Sequence, residues 1–316
     1  MPEKILLCHK VAPETLAQSA RQFPQYIWRL AAREEIPAAM ADTRIAYGPL
    51  LPEQLALAKE LKWVQSTSAG VEQLARSEIF QKGTFTLTTA AGMHDSCAEH
   101  ALALLLGFTR RVSFYAQRHD GSIWPARKGG PEPLVLTGRT LGVLGLGAIG
   151  RSIARMARAI GMRVVGVSFH GKPVPEADET HPVRALDELL PRFDYLILAL
   201  PSSSGTDQLL NAARLARLPR HAVLVNVGRG NAIDQSALVA ALQTQQLAGA
   251  ALDVFEQEPL PDDSPLYALS NAVLTPHIGG QRPDYHERAF EIFLDNLRRF
   301  VEGRPLRNVV EREREY

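Results

Sequence analysis

The sequence contains little cysteine and no excess of charge of either sign. Its 316 residues include two cysteines, Cys8 and Cys97, which are too few for a disulfide framework or a zinc cluster and indicate a reducing compartment. The 35 lysine and arginine residues are matched by 34 aspartate and glutamate residues, so the net charge of +1 provides no basic field for a nucleic-acid backbone. We therefore expect no bound metal and no nucleic-acid partner.

Long hydrophobic runs are missing as well. The apolar stretch at residues 5–8 is too short for a signal peptide, and the stretch at residues 101–108 falls far below the roughly 20 residues that a membrane span requires. These observations predict a soluble, cytoplasmic protein with no membrane partner.

Short apolar runs alternate with longer amphipathic stretches, which predicts parallel β-sheets covered by α-helices. At roughly 150 residues per domain the length favours two such domains, although a single α/β barrel would also fit. The predicted strands are residues 4–8, 43–47, 63–66, 85–88, 141–144, 164–167, 195–200, 222–227, 249–254 and 273–274, and the predicted helices are residues 13–22, 52–61, 150–160 and 285–302.

A pattern rich in alanine and leucine at residues 96–118 predicts a long helix that links the two series of strands. Glycine and proline then break the pattern over residues 121–133, so a domain boundary is expected near this helix. Trp124 lies in the broken segment. We expect it to serve in packing, with a place in a ligand pocket as the alternative.

Residues 145–150 match the G-x-G-x-x-G pattern between an apolar strand and an amphipathic helix. Gly145 permits a tight turn, Gly147 lets the backbone approach a pyrophosphate, and Gly150 allows the helix to pack closely on the strand. With Ala148 and Ile149, they place free N–H groups at a helix start, which favours phosphate binding. A glycine-containing turn without a ligand is the alternative, but the strand–turn–helix context favours dinucleotide binding.

The residues after the next strand bear on the choice between NAD and NADP. An acidic residue normally accepts the adenine-ribose hydroxyls of NAD at this point, but the sequence has Ser168 there and no carboxylate before Glu176. Ser168 can donate a hydrogen bond to a 2′-phosphate, while His170 and Lys172 can supply positive charge. The segment has no arginine for a bidentate phosphate contact. NADP(H) is therefore favoured over NAD(H), with use of either cofactor as the alternative.

Farther along the chain, each of three predicted strands is followed by a loop that contains an ionisable residue. These residues are Arg229, Glu258 and His277. Because the carboxyl ends of parallel strands meet at one edge of a sheet, these side chains are expected to converge. Arg229 can bind a carboxylate through paired hydrogen bonds, and protonated His277 can donate to a carbonyl oxygen as hydride arrives. Glu258, if hydrogen-bonded to His277, would orient the ring and stabilise its cation. The set suits reduction of a 2-oxo acid, although each residue alone could be an ordinary loop residue.

Taken together and in this order, the motifs resemble those of the D-isomer-specific 2-hydroxyacid dehydrogenase family. The resemblance covers nearly the whole chain and is most specific between Gly138 and Gly280. The segments that carry it are residues 98–102, 138–142, 145–150, 226–230, 251–259 and 275–279.

The resemblance implies an α/β fold of two Rossmann-like or flavodoxin-like domains with parallel sheets and an active site in the interdomain cleft. Residues 1–97 and 285–316 would form the substrate-binding (catalytic) domain, and residues 98–284 the NAD(P)-binding Rossmann domain. A homodimer formed through the linker helix is also implied. Burial of that helix within one chain is the alternative explanation for its apolar sequence.

The resemblance further implies ligand contacts outside the motifs. Ser68, Ala69 and Gly70 resemble a segment whose backbone N–H groups hold the substrate carboxylate together with Arg229. The remaining positions with implied cofactor contacts are Leu200, Pro201, Thr206, Val227, Asp253, His277 and Gly279. For Asp253, capping of the turn after its strand is an equally open role.

The sequence thus predicts an NAD(P)H-dependent reductase that converts a small 2-oxo acid, glyoxylate or hydroxypyruvate, to the D-2-hydroxy acid, with His277 as the proton donor. A phosphoglycerate dehydrogenase is one alternative, but no basic residue for a phosphate stands between Ser66 and Leu74. A non-enzymatic dinucleotide sensor, like the corepressors that share this fold, is the other.

Overall fold

The computed structural model describes residues 2–93, 95–116, 118 and 122–313. The chain forms two compact units: unit 1 comprises Met1–Met93 and Arg282–Tyr316, and unit 2 comprises His94–Gln281. Unit 1 is therefore interrupted in sequence by unit 2. The boundaries predicted at 97/98 and 284/285 lie a few residues farther along the chain.

Every pairing between the named strands is parallel, and the strands form two sheets. The predicted α/β class with parallel sheets is therefore confirmed. The strands are β1 Glu3–Leu7, β2 Tyr26–Leu30, β3 Thr43–Tyr47, β4 Trp63–Gln65, β5 Thr86–Thr88, β6 Thr140–Leu144, β7 Arg163–Ser168, β8 Glu179–Pro182, β9 Tyr195–Leu198, β10 Val223–Asn226, β11 Gly249–Leu252 and β12 Ala272–Leu274.

Helices connect most of these strands, as βα alternation requires. The α-helices are α1 Pro13–Gln22, α2 Ile36–Met40, α3 Pro52–Leu55, α4 Glu72–Ala75, α5 Glu78–Lys82, α6 Asp95–Thr109, α7 Val112–Tyr115, α8 Ile123–Ala126, α9 Ala148–Ala159, α10 Leu186–Leu189, α11 Ala212–Leu215, α12 Gln235–Gln243 and α13 Tyr285–Val301. Short 3₁₀ helices span Val183–Ala185, Leu190–Arg192, Gly230–Ala232 and Pro265–Ala268.

In the described part of unit 1, five strands form a sheet in the order β2-β1-β3-β4-β5. Side chains alternate between its faces, so Leu6 and Val64 lie in the core on one face while Trp63 lies in the core on the other. Helix α13 covers the second face, where the ring of Phe293 stacks on Trp63 with centroids 5.3 Å apart. The carboxy-terminal helix thus completes the core that the amino-terminal strands begin.

In the described part of unit 2, seven strands form a sheet in the order β12-β11-β10-β9-β6-β7-β8. The order reverses between β6 and β9, which pair directly although two strands separate them in sequence. In doubly wound sheets, the carboxyl ends of the strands at such a switch point form a crevice that binds ligands. The glycine-rich loop follows β6, so the topology places it at this crevice.

Two strands that the sequence pattern did not predict, β2 and β8, lie at edges of the sheets. Ile27 and Leu30 of β2 are each 48% exposed, and β8 has the polar sequence Glu-Thr-His-Pro. A strand at a sheet edge packs against fewer neighbours, so it needs no continuous apolar run and leaves a weak sequence signal.

The helix predicted over residues 96–118 is wrong in its length. Helix α6 ends at Thr109, Arg111 has a φ of +60°, and α7 begins at Val112. Because a left-handed residue cannot continue an α-helix, the apolar pattern is divided between two helices. Residue 117, which also belongs to the predicted helix, lies outside the described residues. The helix predicted over residues 52–61 likewise ends early, at Leu55.

Helix α6 buries its apolar face in the core of unit 2, where Ala98, Leu105 and Phe108 pack against the sheet. Since α6 belongs to this core from its first turns, the chain divides before the helix rather than within it.

Trp124, in the single turn of α8, is 74% exposed, so the expected packing role is wrong. Within the described ranges, no helix is both long and apolar enough to cross a lipid bilayer.

Candidate active site

The glycine-rich loop joins β6 to α9 through a turn in which two positions exclude any side chain. Gly145 has a φ of +95°, and a Cβ atom there would lie 2.5 Å from the carbonyl oxygen of Ala199. A Cβ atom at Gly150 would lie 1.7 Å from the carbonyl oxygen of Gly145, because α9 packs directly on the turn. Gly147 caps α9, and nothing lies within 4 Å of a Cβ built there. This open space, at a helix start without a side-chain cap, fits a pyrophosphate.

A second turn, at residues 168–171, follows β7. Ser168 Oγ accepts a hydrogen bond from the N–H group of Gly171 at 3.1 Å, and Gly171 has a φ of +68°. The side chains of His170 and Lys172 are exposed. The turn therefore holds the Ser168 hydroxyl in place and leaves its proton available as a donor beside two basic side chains.

The next carboxylate along the chain, Glu176, is already paired. Arg151, in α9, donates to its two oxygens at 3.0 and 2.8 Å. These hydrogen bonds, assisted by the nearby positive charge, hold the pKa of Glu176 below its usual value. The negative charge of Glu176 is thus offset by Arg151.

The carboxyl ends of β10, β11 and β12 lie side by side. Asn226, Leu252 and Leu274 are register partners across these neighbouring strands. The loops that carry Arg229 and His277 therefore start at the same edge of the sheet, as the sequence predicts.

Asn226 shapes the loop that carries Arg229. Its side-chain amide donates to the carbonyl oxygen of Arg229 at 2.9 Å, and its Oδ1 accepts from the N–H group of Gly228 at 3.0 Å. The guanidinium of Arg229 donates to the carbonyl oxygen of Gly228 at 2.8 Å. Sequence reasoning gave Asn226 no role, although an asparagine two residues before a glycine is a recognisable signal for such a turn.

Glu258 and His277 form the hydrogen bond that the sequence analysis considered. His277 Nδ1 and Glu258 Oε2 are 2.6 Å apart, while Glu258 Oε1 accepts from the N–H group of Phe255 at 3.0 Å. The Glu258 side chain is 34% exposed and that of His277 48% exposed. With its Nδ1 proton donated to the carboxylate, the imidazole ring leaves Nε2 for chemistry at the surface of the unit.

The turn that presents His277 is built around the carboxylate of Asp253. Asp253 Oδ1 accepts from the hydroxyl of Thr275 at 2.6 Å and from the N–H group of Ile278 at 3.0 Å, and Oδ2 accepts from the N–H group of Gly279 at 2.8 Å. The N–H group of His277 donates to the Asp253 carbonyl oxygen at 2.9 Å. Asp253 therefore caps the turn after β12, the neighbouring strand, whereas the structural role considered for it in the sequence was to cap the turn after its own strand, β11.

Sequence reasoning missed His100, on α6, whose Nε2 lies 3.1 Å from Asp253 Oδ1 and 3.0 Å from Thr275 Oγ1. The contact joins residues 153 positions apart, so no local pattern could have shown it.

Cys97, one turn earlier on α6, is buried. Burial, followed by the Asp253 charge, raises the pKa of its thiol to about 11, so the thiol remains neutral near pH 7.

The other predicted cofactor positions lie at the same edge of the sheet. Thr206 Oγ1 accepts from the N–H group of Ser203 at 2.9 Å and donates to the carbonyl oxygen of Pro201 at 2.8 Å, which closes the loop after β9. Leu200 contacts the glycine loop, because its Cδ2 atom lies 3.2 Å from a Cβ built on Gly145. Val227 is buried in the core.

In unit 1, Ser68, Ala69 and Gly70 follow β4 at the carboxyl edge of the sheet. The Ser68 hydroxyl donates to the Gly70 carbonyl oxygen at 2.6 Å, and the Ser68 N–H group donates to Ser66 Oγ at 3.1 Å. No described residue accepts a hydrogen bond from the N–H groups of Ala69 or Gly70. Both N–H groups are therefore available as hydrogen-bond donors.

Comparisons with known proteins agree with this geometry. The family model described as D-isomer specific 2-hydroxyacid dehydrogenase, NAD binding domain, matches residues 102–279. A glyoxylate reductase of Thermococcus onnurineus is 32% identical over 96% of this chain and 88% of its own.

Two solved structures are similar over nearly the whole chain. A D-isomer specific 2-hydroxyacid dehydrogenase of Xanthobacter autotrophicus, in complex with NADPH and MES, has a TM-score of 0.83 at 28% identity and covers 100% of both chains. An NADPH-dependent glyoxylate/hydroxypyruvate reductase of Sinorhizobium meliloti, in complex with NADP and sulfate, has a TM-score of 0.83 at 26% identity and covers 99% of this chain and 100% of its own.

Gly147→Ala and Gly150→Ala form a matched pair that separates cofactor binding from folding. We expect G147A to fold like the wild type, because its φ of −72° suits alanine and its surroundings are open. Its affinity for the dinucleotide should fall at least about tenfold, since the methyl group occupies space that a phosphate needs. G150A should lose about 2 kcal/mol or more of unfolding free energy through overpacking.

Urea unfolding without cofactor and fluorescence titration with NADPH and NADH measure the two effects. A G147A variant that binds both nucleotides like the wild type would show that no phosphate approaches this loop.

Proposed function

Because the chain belongs to the D-isomer specific 2-hydroxyacid dehydrogenase family, we propose that it reduces glyoxylate and hydroxypyruvate to the corresponding 2-hydroxy acids. The family match confirms the resemblance noted in the sequence and makes the protein an NAD(P)-dependent oxidoreductase. The observation that carries the proposal is the Glu258–His277 hydrogen bond, at the sheet edge from which the Arg229 loop also starts. The activities named for the relatives supply the two substrates.

In the proposed reaction, His277 is the proton donor. Glu258 accepts a hydrogen bond from the Nδ1–H group of the His277 imidazolium, so the Nε2 proton is the one available to the substrate carbonyl oxygen. The Glu258 carboxylate stabilises the imidazolium before transfer and fixes the ring plane. Bound NAD(P)H supplies the hydride.

Arg229 is proposed to bind the substrate carboxylate. Its guanidinium offers parallel N–H donors, and the Asn226 side chain holds its backbone in place. The N–H groups of Ala69 and Gly70 in unit 1 are proposed as carboxylate donors as well. A small 2-oxo acid needs no larger set of anchors, since it carries one carboxylate and one carbonyl.

Three substitutions test the roles of these residues. We expect His277→Ala to lower kcat for glyoxylate and hydroxypyruvate by about 10²- to 10⁴-fold, the usual contribution of a positioned general acid. Glu258→Gln should lower kcat at least about tenfold, because the uncharged amide stabilises the imidazolium less. Arg229→Ala should act mainly on KM, since it removes the proposed carboxylate anchor.

The assay follows NADPH and NADH absorbance with a panel of 2-oxo acids that includes 3-phosphohydroxypyruvate. His221→Ala serves as the control, because His221 is 62% exposed and contacts Asp194 at the amino-terminal end of the strands. Wild-type turnover confined to the phosphorylated substrate would replace the proposal with the phosphoglycerate alternative. Activity of H277A equal to that of the control would refute the assigned proton donor.

We also propose that the enzyme prefers NADPH. Ser168 offers a hydroxyl at the position of the NAD-specific carboxylate, and the exposed His170 and Lys172 add positive charge. Glu176 is engaged by Arg151 and does not oppose a 2′-phosphate with an uncompensated charge. Both solved relatives described above were obtained with NADP or NADPH.

Ser168→Asp should reverse the preference. The introduced carboxylate would repel a 2′-phosphate, so kcat/KM for NADPH should fall by about tenfold or more while that for NADH is retained. The ratio of the two specificity constants, measured with glyoxylate for wild type and variant, is the readout. A wild-type ratio in favour of NADH would contradict the proposal.

A homodimer formed at the linker region is the last part of the proposed function. The apolar face of α6 is used within the chain, but Val112, Ile123, Trp124 and Val135 remain between 41% and 74% exposed. We propose that these exposed side chains form the interface, because contiguous exposed apolar surface is typical of protein–protein contacts. We expect light scattering to give twice the 34.7 kDa chain mass and Trp124→Ser to shift the equilibrium toward the monomer. A wild-type mass of one chain at micromolar concentration would contradict the dimer.

A further inference from the structure

The buried Asp253 carboxylate is bound from two directions. The turn at residues 275–279 donates the Thr275 hydroxyl and two backbone N–H groups, as described above. From the other direction, helix α6 brings His100 Nε2 to 3.1 Å from Asp253 Oδ1. The side chains of Asp253 and His100 are 2% and 19% exposed, so little water competes for this contact.

The donors and acceptors of this cluster are consistent with one arrangement. The Thr275 hydroxyl donates to Asp253 Oδ1, so the Thr275 oxygen has a lone pair left for a second contact. His100 Nε2 lies 3.0 Å from that oxygen and 3.1 Å from Asp253 Oδ1. One Nε2 proton therefore serves both acceptors, which requires the His100 tautomer or cation with a proton on Nε2.

The turn needs such support because His277 has an unfavourable backbone. Its φ is +53°, a conformation that costs a non-glycine residue about 1–2 kcal/mol. The turn also packs tightly on His100, since a Cβ atom on Gly279 would lie 3.1 Å from His100 Cδ2 and 2.9 Å from Asp253 Oδ2. Without His100, the Asp253 carboxylate loses one of the contacts that fix its position. The strained turn at residues 275–279, which is hydrogen-bonded to this carboxylate, can then relax.

We propose that His100 is a positioning residue for His277: through its Nε2 proton it fixes Asp253 and Thr275, and thereby the orientation in which His277 donates its proton. The side-chain hydrogen bonds of His100 go to Asp253 and Thr275, and that of His277 goes to Glu258, so His100 acts on His277 through the turn. The inference rests on the proposed proton-donor role of His277. It assigns to α6, the first helix of unit 2, an indirect part in the acid–base geometry.

A second histidine–aspartate pair in the same unit provides a matched comparison. His221 Nε2 lies 2.8 Å from Asp194 Oδ1, close to the 3.1 Å of the His100 pair. It lies at the amino-terminal ends of β9 and β10, away from the loops that carry Arg229 and His277. Substitution of His221 therefore removes a histidine–carboxylate hydrogen bond of the same kind and leaves the turn at residues 275–279 unchanged.

The experiment compares His100→Leu, which removes the donor, with His100→Gln, whose amide can donate from a similar position. His221→Leu is the control. With NADPH and glyoxylate, H100L should lose about 10- to 100-fold in kcat, the effect that loss of a hydrogen-bonded supporting residue has behind metal-ligating side chains. Its KM for glyoxylate and its melting temperature should stay close to those of H221L. H100Q should recover kcat to within about threefold of the wild type.

Two results overturn the proposal. One is an H100L kcat equal to that of H221L. The other is an equal loss of kcat in H100L and H100Q with a parallel fall in melting temperature, which would mark His100 as a packing residue. If H100L does not fold, Thr275→Val decides, because it removes only the hydroxyl that His100 and Asp253 share. A T275V variant with wild-type kcat would then refute the inference.

A readout that does not depend on turnover separates this inference from the proposed function. In ¹⁵N-histidine-labelled protein, the His277 ring signals, identified by their loss in H277A, report the Glu258 hydrogen bond. We expect them to shift or broaden in H100L and to resemble the wild type in H100Q and H221L. If the wild type reduces no 2-oxo acid, the proposed function fails, and these signals still test the positioning. Signals unchanged in H100L would refute it.

Discussion

The carboxylate of Asp253 is the constraint on which the site of unit 2 depends. An ionised carboxylate that is 2% exposed is unfavourable unless hydrogen bonds replace the water it has lost. The donors come from the Thr275 hydroxyl, the N–H groups of Ile278 and Gly279, and His100 on α6. Satisfying this one charge therefore imposes a turn on the chain, and the turn carries His277 at its apex.

The site also requires that its separate loops start at one edge of a sheet, and the seven-stranded sheet of unit 2 provides this arrangement. Register pairing across β10, β11 and β12 aligns Asn226, Leu252 and Leu274, and the reversal between β6 and β9 adds the glycine loop. Each loop is then held by its own polar side chain: Asn226 holds the Arg229 loop, and Thr206 closes the loop after β9. The functional groups are presented by local hydrogen bonds on a common parallel scaffold.

Much of the fold and of the candidate site was predictable, because the residues that produce each feature are close together in the sequence. Buried parallel strands need apolar runs, and a helix that approaches a pyrophosphate needs glycine at the turn, so the sheet and the loop at residues 145–150 could be found from pattern alone. The Glu258–His277 pair was predictable for a different reason, since both residues follow adjacent strands. The edge strands β2 and β8 and the break at Arg111 were not predicted, because edge strands lack apolar runs and propensity did not reveal a left-handed residue.

The sequence by itself determined the two-sheet α/β class, the glycine-rich turn after β6 and the identity of the ionisable residues at the strand ends. Their chemistry follows from residue type, and their neighbourhood follows from the rule that parallel strands share a carboxyl edge. Only the tertiary structure decided that Asp253 caps the turn of His277 and that His100 joins it from α6. That contact spans 153 positions, and no local periodicity or motif encodes which distant donor will satisfy a buried charge.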